Sequence, residues 1–256
     1  MSLLDNEVSV GKTPHAPKIM IYGEEGVGKS SWAAKAPDAF FMNLEGGLDE
    51  LDVKKNKHEL TNWTDFVAWF NDLITEKHEY KTVVIDTITA LERFIWAEVC
   101  KQFGVKNIEK ADGGYARGYK YAMDWWDIFL SGCNKLTERG IMVILIGHQG
   151  IQEIKDPESQ TYHRTAPNIH HLPAAMLCQW CDCVFQAKQN FRVQKIEEGF
   201  GNSRGIAVAV GQNGGERVVR TIGNRAVVAK NRYNLPEYLP LDFNVFYSAI
   251  TENLNK

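Results

Sequence analysis

The sequence predicts an α/β fold with a mostly parallel central sheet and a C-terminal antiparallel hairpin extension, on three observations. From Lys18 onward, short apolar runs alternate with long amphipathic stretches, the pattern of βαβ units. A glycine-rich turn follows the first apolar run directly. After residue 187 the chain changes to alternating, β-rich sequence, with glycine turn signals at 199–201 and 211–215.

Taken in order, residues 1–17 are polar and carry Pro14 and Pro17, which disfavour regular structure; they read as an arm ahead of one domain over 18–256. A chain of 256 residues, 44% hydrophobic, suits one large core better than two small ones. Strands are expected at 18–22, 39–44, 82–86, 141–147 and 183–187, and helices at 29–35, 63–76, 89–103 and 119–139. The last helix places Trp125, Trp126, Phe129 and Leu136 on overlapping faces. Two stretches, 105–118 and 150–172, show no periodicity, and loops of that length in a compact domain usually carry function.

Charge is uneven along the chain. Residues 188–232 hold nine Lys or Arg against three Glu, while 1–187 hold nineteen against twenty-six acidic residues. An odd cysteine count of five, an opening without a secretory leader and apolar runs too short to span a bilayer give the expectation of a soluble, cytoplasmic protein with no membrane partner.

The segment Gly23-Glu24-Glu25-Gly26-Val27-Gly28-Lys29-Ser30 fits the eight-position phosphate-binding loop in full, and Ser31 follows it into a helical stretch. Glycines let backbone N–H groups turn inward as an anion nest, Lys29 reaches the β and γ phosphates of ATP, and Ser30 ligates Mg²⁺. The apolar run ending in Asp86 supplies the acidic residue for the magnesium shell; the alternative is that Asp86 caps the next helix, since Thr87 and Thr89 follow. Hydrolysis needs a group to activate water, and Glu45, emerging where the second strand ends, is the candidate, against a plain solvated loop glutamate.

The order of these parts resembles the ATPase core of the RecA-type recombinases, and more closely the small RecA-like ATPases of bacteriophages linked to recombination and single-strand annealing. The segment from Phe41 to Asp49, with Glu45 followed by Leu48-Asp49, is similar to the family's strand ending in a catalytic glutamate, and Asp86-Thr87 is similar to its Asp-Ser or Asp-Thr. The resemblance further implies a γ-phosphate sensor at Gln149 or His148. It also implies two basic residues, Lys230 and Arg232, reaching a neighbouring subunit's nucleotide. The bland reading of that pair is the solvated face of a hairpin edge.

On the same resemblance the two unpatterned stretches face DNA, with Lys106, Lys110 and Arg117 in the first and Lys155 and Arg164 in the second. That composition neutralises phosphates, although Glu109, Asp112 and Glu153 dilute it and a flexible solvated loop is the alternative. The implied partners are single-stranded DNA, further copies of the chain in a ring or filament with ATP between subunits, and a single-strand-binding protein, in the cytoplasm of a bacterial host. An ATP-driven switch on a protein partner, such as a loader or packaging factor, fits the same site. A small-molecule kinase ranks last, because no Arg-rich lid follows Asp86. Cys178, Cys181 and Cys183 near His170 and His171 supply half of a zinc site and read better as small apolar residues.

Overall fold

Alternate residues of the first strand go to opposite faces, so Met20 and Tyr22 join one buried cluster while Ile19 and Ile21 join another. Both faces of the sheet must therefore be covered, which is the condition for parallel strands. A computed structural model describes residues 15–155, 160–198, 202–209 and 215–254. In chain order it contains β1 (Lys18–Gly23), α1 (Lys29–Ala33), β2 (Ala39–Asn43), β3 (Lys54–Lys55), α2 (Trp63–Thr75), β4 (Thr82–Asp86) and α3 (Ile88–Gln102). A 3-10 segment (Ile108–Gly113) precedes α4 (Gly118–Glu138), β5 (Met142–Ile154), β6 (Tyr162–Pro167), α5 (His171–Trp180) and β7 (Cys183–Gln189). There follow β8 (Phe191–Glu198), β9 (Asn202–Ala209), β10 (Arg217–Arg220), β11 (Lys230–Asn231), β12 (Tyr238–Pro240) and α6 (Phe243–Leu254).

The strand order across the sheet is β12-β10-β7-β1-β5-β4-β2-β3. The strands from β7 to β3 run parallel, and β10 and β12 add antiparallel strands at one edge. This is the α/β architecture expected from the sequence. One strand, β5, separates the strand that leads into the glycine-rich turn from the strand that ends in Asp86. On one face α2, α3 and α4 bury Phe66, Phe70, Leu91, Ile95, Trp126 and Phe129. On the other, Trp32 of α1 meets Phe243 and Phe246 of α6 at ring centroid distances of 4.9 and 5.5 Å. Among the described residues no helix is long and apolar enough to cross a membrane.

Several expectations are corrected. Of the expected arm only residues 15–17 are described, and they lie against the sheet: His15 Nε2, on an exposed side chain, is 3.0 Å from the buried Asp182 carboxylate, and Val143 N donates to the Pro17 carbonyl. The stretch 150–172 is no open loop. Instead β5 runs on to Ile154 and pairs antiparallel with β6, and α5 begins at His171. Finally, β8 and β9 form a two-stranded sheet of their own, so β10 and β12 extend the main sheet in their place. The turn signals at 199–201 and 211–214 lie outside the described residues.

Candidate functional site

Gly23 ends β1 with no room for a side chain: a Cβ there would sit 2.2 Å from the Ala187 carbonyl oxygen on β7. The chain then turns through Gly26 at φ 72° and Gly28 at φ 106°, left-handed values that a glycine reaches without strain. Lys29, 6% exposed, folds its ammonium back onto the carbonyls of Gly23 (3.0 Å) and Glu24 (2.8 Å). Burial lowers its pKa, against the opposing pull of Asp86, Glu25, Glu45 and Glu24. A compact cation held over a glycine-lined nest is suited to a polyphosphate.

Asp86 had two readings, and the structure separates them. Thr87, not Asp86, caps α3, its hydroxyl accepting from Ala90 N at 3.2 Å. Asp86 instead accepts from Ser30 Oγ at 2.7 Å. Burial pushes the Asp86 carboxyl up to about 6; the Ser30 hydrogen bond, Lys29 and His148 act the other way, while the Glu45 charge adds to the rise. Two hard oxygen donors meet here beside a buried, costly negative charge, so these residues fit a divalent cation such as Mg²⁺.

Glu45 lies just past β2, where the buried amides of Asn43 and Asn56 fix the backbone: Asn43 N donates to Asn56 Oδ1 (2.8 Å) and Gly46 N to Asn43 Oδ1 (3.0 Å). Its carboxylate accepts from His148 Nε2 at 2.8 Å and from Arg93 Nη2 at 2.9 Å. Burial alone would raise its pKa. The His148 hydrogen bond and charge, the Thr87 hydroxyl and Arg93 outweigh that and hold it below the usual glutamate value. Glu45 is thus an ionised base with restricted motion.

These groups share one cavity of about 400 Å³, lined by Gly28, Lys29, Ser30, Asp86, Glu45 and His148 among others, within the roughly 300–1,000 Å³ typical of small-molecule sites. Of the two sensor candidates, His148 contacts Glu45 and lines this cavity. Gln149 lines an adjoining one, with its side-chain oxygen accepting from Gln186 Nε2 at 3.0 Å. Sequence reasoning missed Arg93, which reaches Glu45 from the second turn of α3, and Arg217, which reaches the cavity from β10.

Lys230 and Arg232 are placed elsewhere. Both lie beside the beginning of β7, level with the start of β1, and the glycine-rich turn is at the far end of β1, roughly 16 Å along the strand. Lys230 Nζ donates to the carbonyls of Cys178 (3.0 Å), Gln179 (3.0 Å) and Cys181 (2.7 Å), closing the C-terminal end of α5. Arg232 pairs with Asp182 at 3.1 Å. Within this chain both residues make internal contacts.

A ring contact, made at the edge of the first, joins the two stretches expected to face DNA. Tyr119, just past the first, stacks on His170 in the second at 4.1 Å, and the buried Glu92 of α3 accepts from His170 N at 2.7 Å. Lys106, Lys110 and Lys155 are exposed, as is Tyr115, at 93%. Arg117 is drawn to Asp112 at 3.7 Å, and Arg164 is half-buried on β6 and donates to Gln152 at 3.2 Å. The thiols of Cys178 and Cys183 are pushed up by burial, to about 11 and about 12, as for small apolar residues.

A protein family described as AAA domain matches residues 15–233. The chain is 25% identical over 154 residues, 58% of its length, to the SPbeta prophage-derived uncharacterized protein YorG of Bacillus subtilis strain 168, and the match spans 46% of that protein. Among solved structures it is similar to the KaiC-like protein PH0186 of Pyrococcus horikoshii OT3 (12% identity, 89% of this chain and 86% of that one, TM-score 0.43). It is also similar to the flagellar accessory protein FlaH of Methanocaldococcus jannaschii (12% identity, 85% and 88%, TM-score 0.37).

Proposed function

The chain belongs to the AAA-domain family of P-loop ATPases, and from that premise we propose that it hydrolyses ATP with Mg²⁺ while assembled on single-stranded DNA. The observation that carries the hydrolytic reading is the convergence of Lys29, the Ser30–Asp86 pair and Glu45 on one cavity. Lys29 leaves its two carbonyls for the β and γ phosphates. Ser30 and Asp86 would hold the metal, which would neutralise charge on the phosphate oxygens. Glu45, ionised and steadied by His148 and Arg93, takes the proton of the attacking water.

The DNA reading rests on the stacking of Tyr119 on His170, with Lys106 lining a cavity beside Tyr119 and Lys110 and Lys155 exposed on the same two stretches. Rings and lysines together suit a strand whose phosphates are neutralised and whose bases stack. The prophage origin of the Bacillus subtilis relative is in keeping with recombination or annealing of phage DNA in a bacterial cytoplasm, by a homo-oligomer working with a single-strand-binding protein.

Fluorescence anisotropy of a labelled single-stranded oligonucleotide, with and without a non-hydrolysable ATP analogue, tests this. The analogue should tighten binding. Replacing Lys106, Lys110 and Lys155 by Ala should flatten the slope of log affinity against log salt by up to about 2, at about 0.7 per phosphate contact. Binding that ignores the analogue would favour the second reading, a switch acting on a protein partner, to which Ile151, 75% exposed on β5 beside Glu153, would lend an apolar contact.

A further inference from the structure

The cavity has two ends, and the groups so far described serve one of them. Glu45 follows β2, three strands from β1 on one side of the sheet, while Arg217 opens β10, two strands from β1 on the other. At about 4.8 Å per strand these positions stand roughly 24 Å apart across the sheet, with the glycine-rich turn between them. Arg217 lines the cavity with Gly28, Lys29, Ser30 and Ser31, yet is absent from the adjoining cavity around Glu45, Arg93 and His148. A Cβ built on Gly28 would meet Arg217 Nη1 at 3.4 Å and Leu241 Cδ2 at 3.4 Å, so the guanidinium rests against the turn itself.

Its chemistry is unspent. Arg93 pairs with Glu45, Arg220 with Glu237 and Arg232 with Asp182. Among the described residues no ion pair or side-chain hydrogen bond engages the Arg217 guanidinium, which is exposed over the cavity mouth. Its position is nonetheless fixed by backbone: Arg217 pairs with Gln189 of β7, and its carbonyl accepts from Leu241 N at 3.0 Å. Lys29 and Arg217 are the permanent cations of a cavity that also holds Glu25, Glu45, Glu50 and Asp86.

We propose that Arg217 is a nucleotide-binding residue that holds the α-phosphate from within the same subunit, at the end of the cavity opposite Glu45. The inference rests on the nucleotide-binding reading above. With the water-activating group on the β2 side, the terminal phosphate lies toward β2 and the α-phosphate toward β10, where a planar fork of donors suits its two non-bridging oxygens. An α-phosphate contact is common to ATP and ADP, and it is blind to the base.

Calorimetric titration of wild type, Arg217→Ala, Arg217→Lys and Lys29→Ala with ADP, a non-hydrolysable ATP analogue and the matching guanine nucleotides decides it. Arg217→Ala should weaken ADP and the ATP analogue alike, by roughly tenfold or more for a lost charged hydrogen bond. Arg217→Lys should recover part of the loss, and the adenine-to-guanine preference should not move. Without nucleotide, both Arg217 variants should melt as the wild type does, since the guanidinium has no internal ion pair to lose. Unchanged affinity, a loss confined to the ATP analogue, an altered base preference or a lower melting temperature would each overturn the proposal. If Arg217→Ala binds normally while Lys29→Ala does not, this inference alone fails; if the wild type binds no nucleotide, the reading beneath it fails too.

Discussion

At the scale of single residues, the site is a set of charges whose positions trade stability for chemistry, and Asp86 shows it most directly. In the folded chain burial lets it keep its proton up to about pH 6, well above the usual aspartate range, so stability falls as pH rises from that range toward 6. Asp86→Asn removes the penalty. In metal-free buffer the variant should therefore melt higher than wild type at pH 7, by on the order of 1–3 kcal/mol or a few degrees, and close to it below pH 4. It should also lose magnesium-dependent nucleotide binding; a variant that melts lower at pH 7 would contradict the assignment. Glu45→Gln should retain ATP binding and lower turnover by about 10²–10⁴-fold, the range for a lost general base, as measured by phosphate release. The identity of Lys29, Ser30, Asp86 and Glu45 was legible because each belongs to a local motif. Arg93 and Arg217 were not, because their roles arise from contacts between elements distant in sequence.

At the scale of elements, most strands and helices up to residue 147 were readable to within a residue or two, the strands as short apolar runs and the helices as amphipathic stretches, while the two-residue β3 and the 3-10 segment carried no such signal. The hairpin of β5 and β6 escaped because its half-buried face carries the polar pair Gln152 and Arg164 and its exposed apolar side chain, Ile151, points the other way, so its existence depends on pairing from Gln149–Pro167 to Ile154–Tyr162. By contrast α6 did carry a signal, Phe243, Phe246 and Ile250 at helical spacing and all buried. The segment at Lys230 is ambiguous in sequence for another reason: two cations two positions apart look the same whether they face a phosphate or close a helix. Given its three carbonyl partners, Lys230→Ala should lower the melting temperature by an amount equivalent to about 1–2 kcal/mol and leave ATPase activity per folded molecule near wild type. A large drop in turnover at unchanged stability would restore the finger role.

At the scale of the whole molecule, the two flanks of the sheet make different contributions to one cavity, acid and base from the β2 side and a second cation from the β10 side. Global composition hinted at neither, because a net charge of −3 averages over both. One element crosses the boundary between cavity and surface. β5 runs for 13 residues without a break, roughly 43 Å, from the middle of the sheet past His148 to the hairpin, and the His148 carbonyl accepts from Asn168 N at 2.9 Å where β6 returns. Such a strand behaves as a push-rod: it is stiff along its length and clamped at one end between β1 and β4, so a displacement at His148 has little room to dissipate before reaching Ile154. Amide exchange across Tyr162–Pro167 should accordingly slow when a non-hydrolysable ATP analogue binds, and His148→Ala should uncouple the two. Exchange in β6 that stays the same with and without the analogue would mean that the rod carries no load.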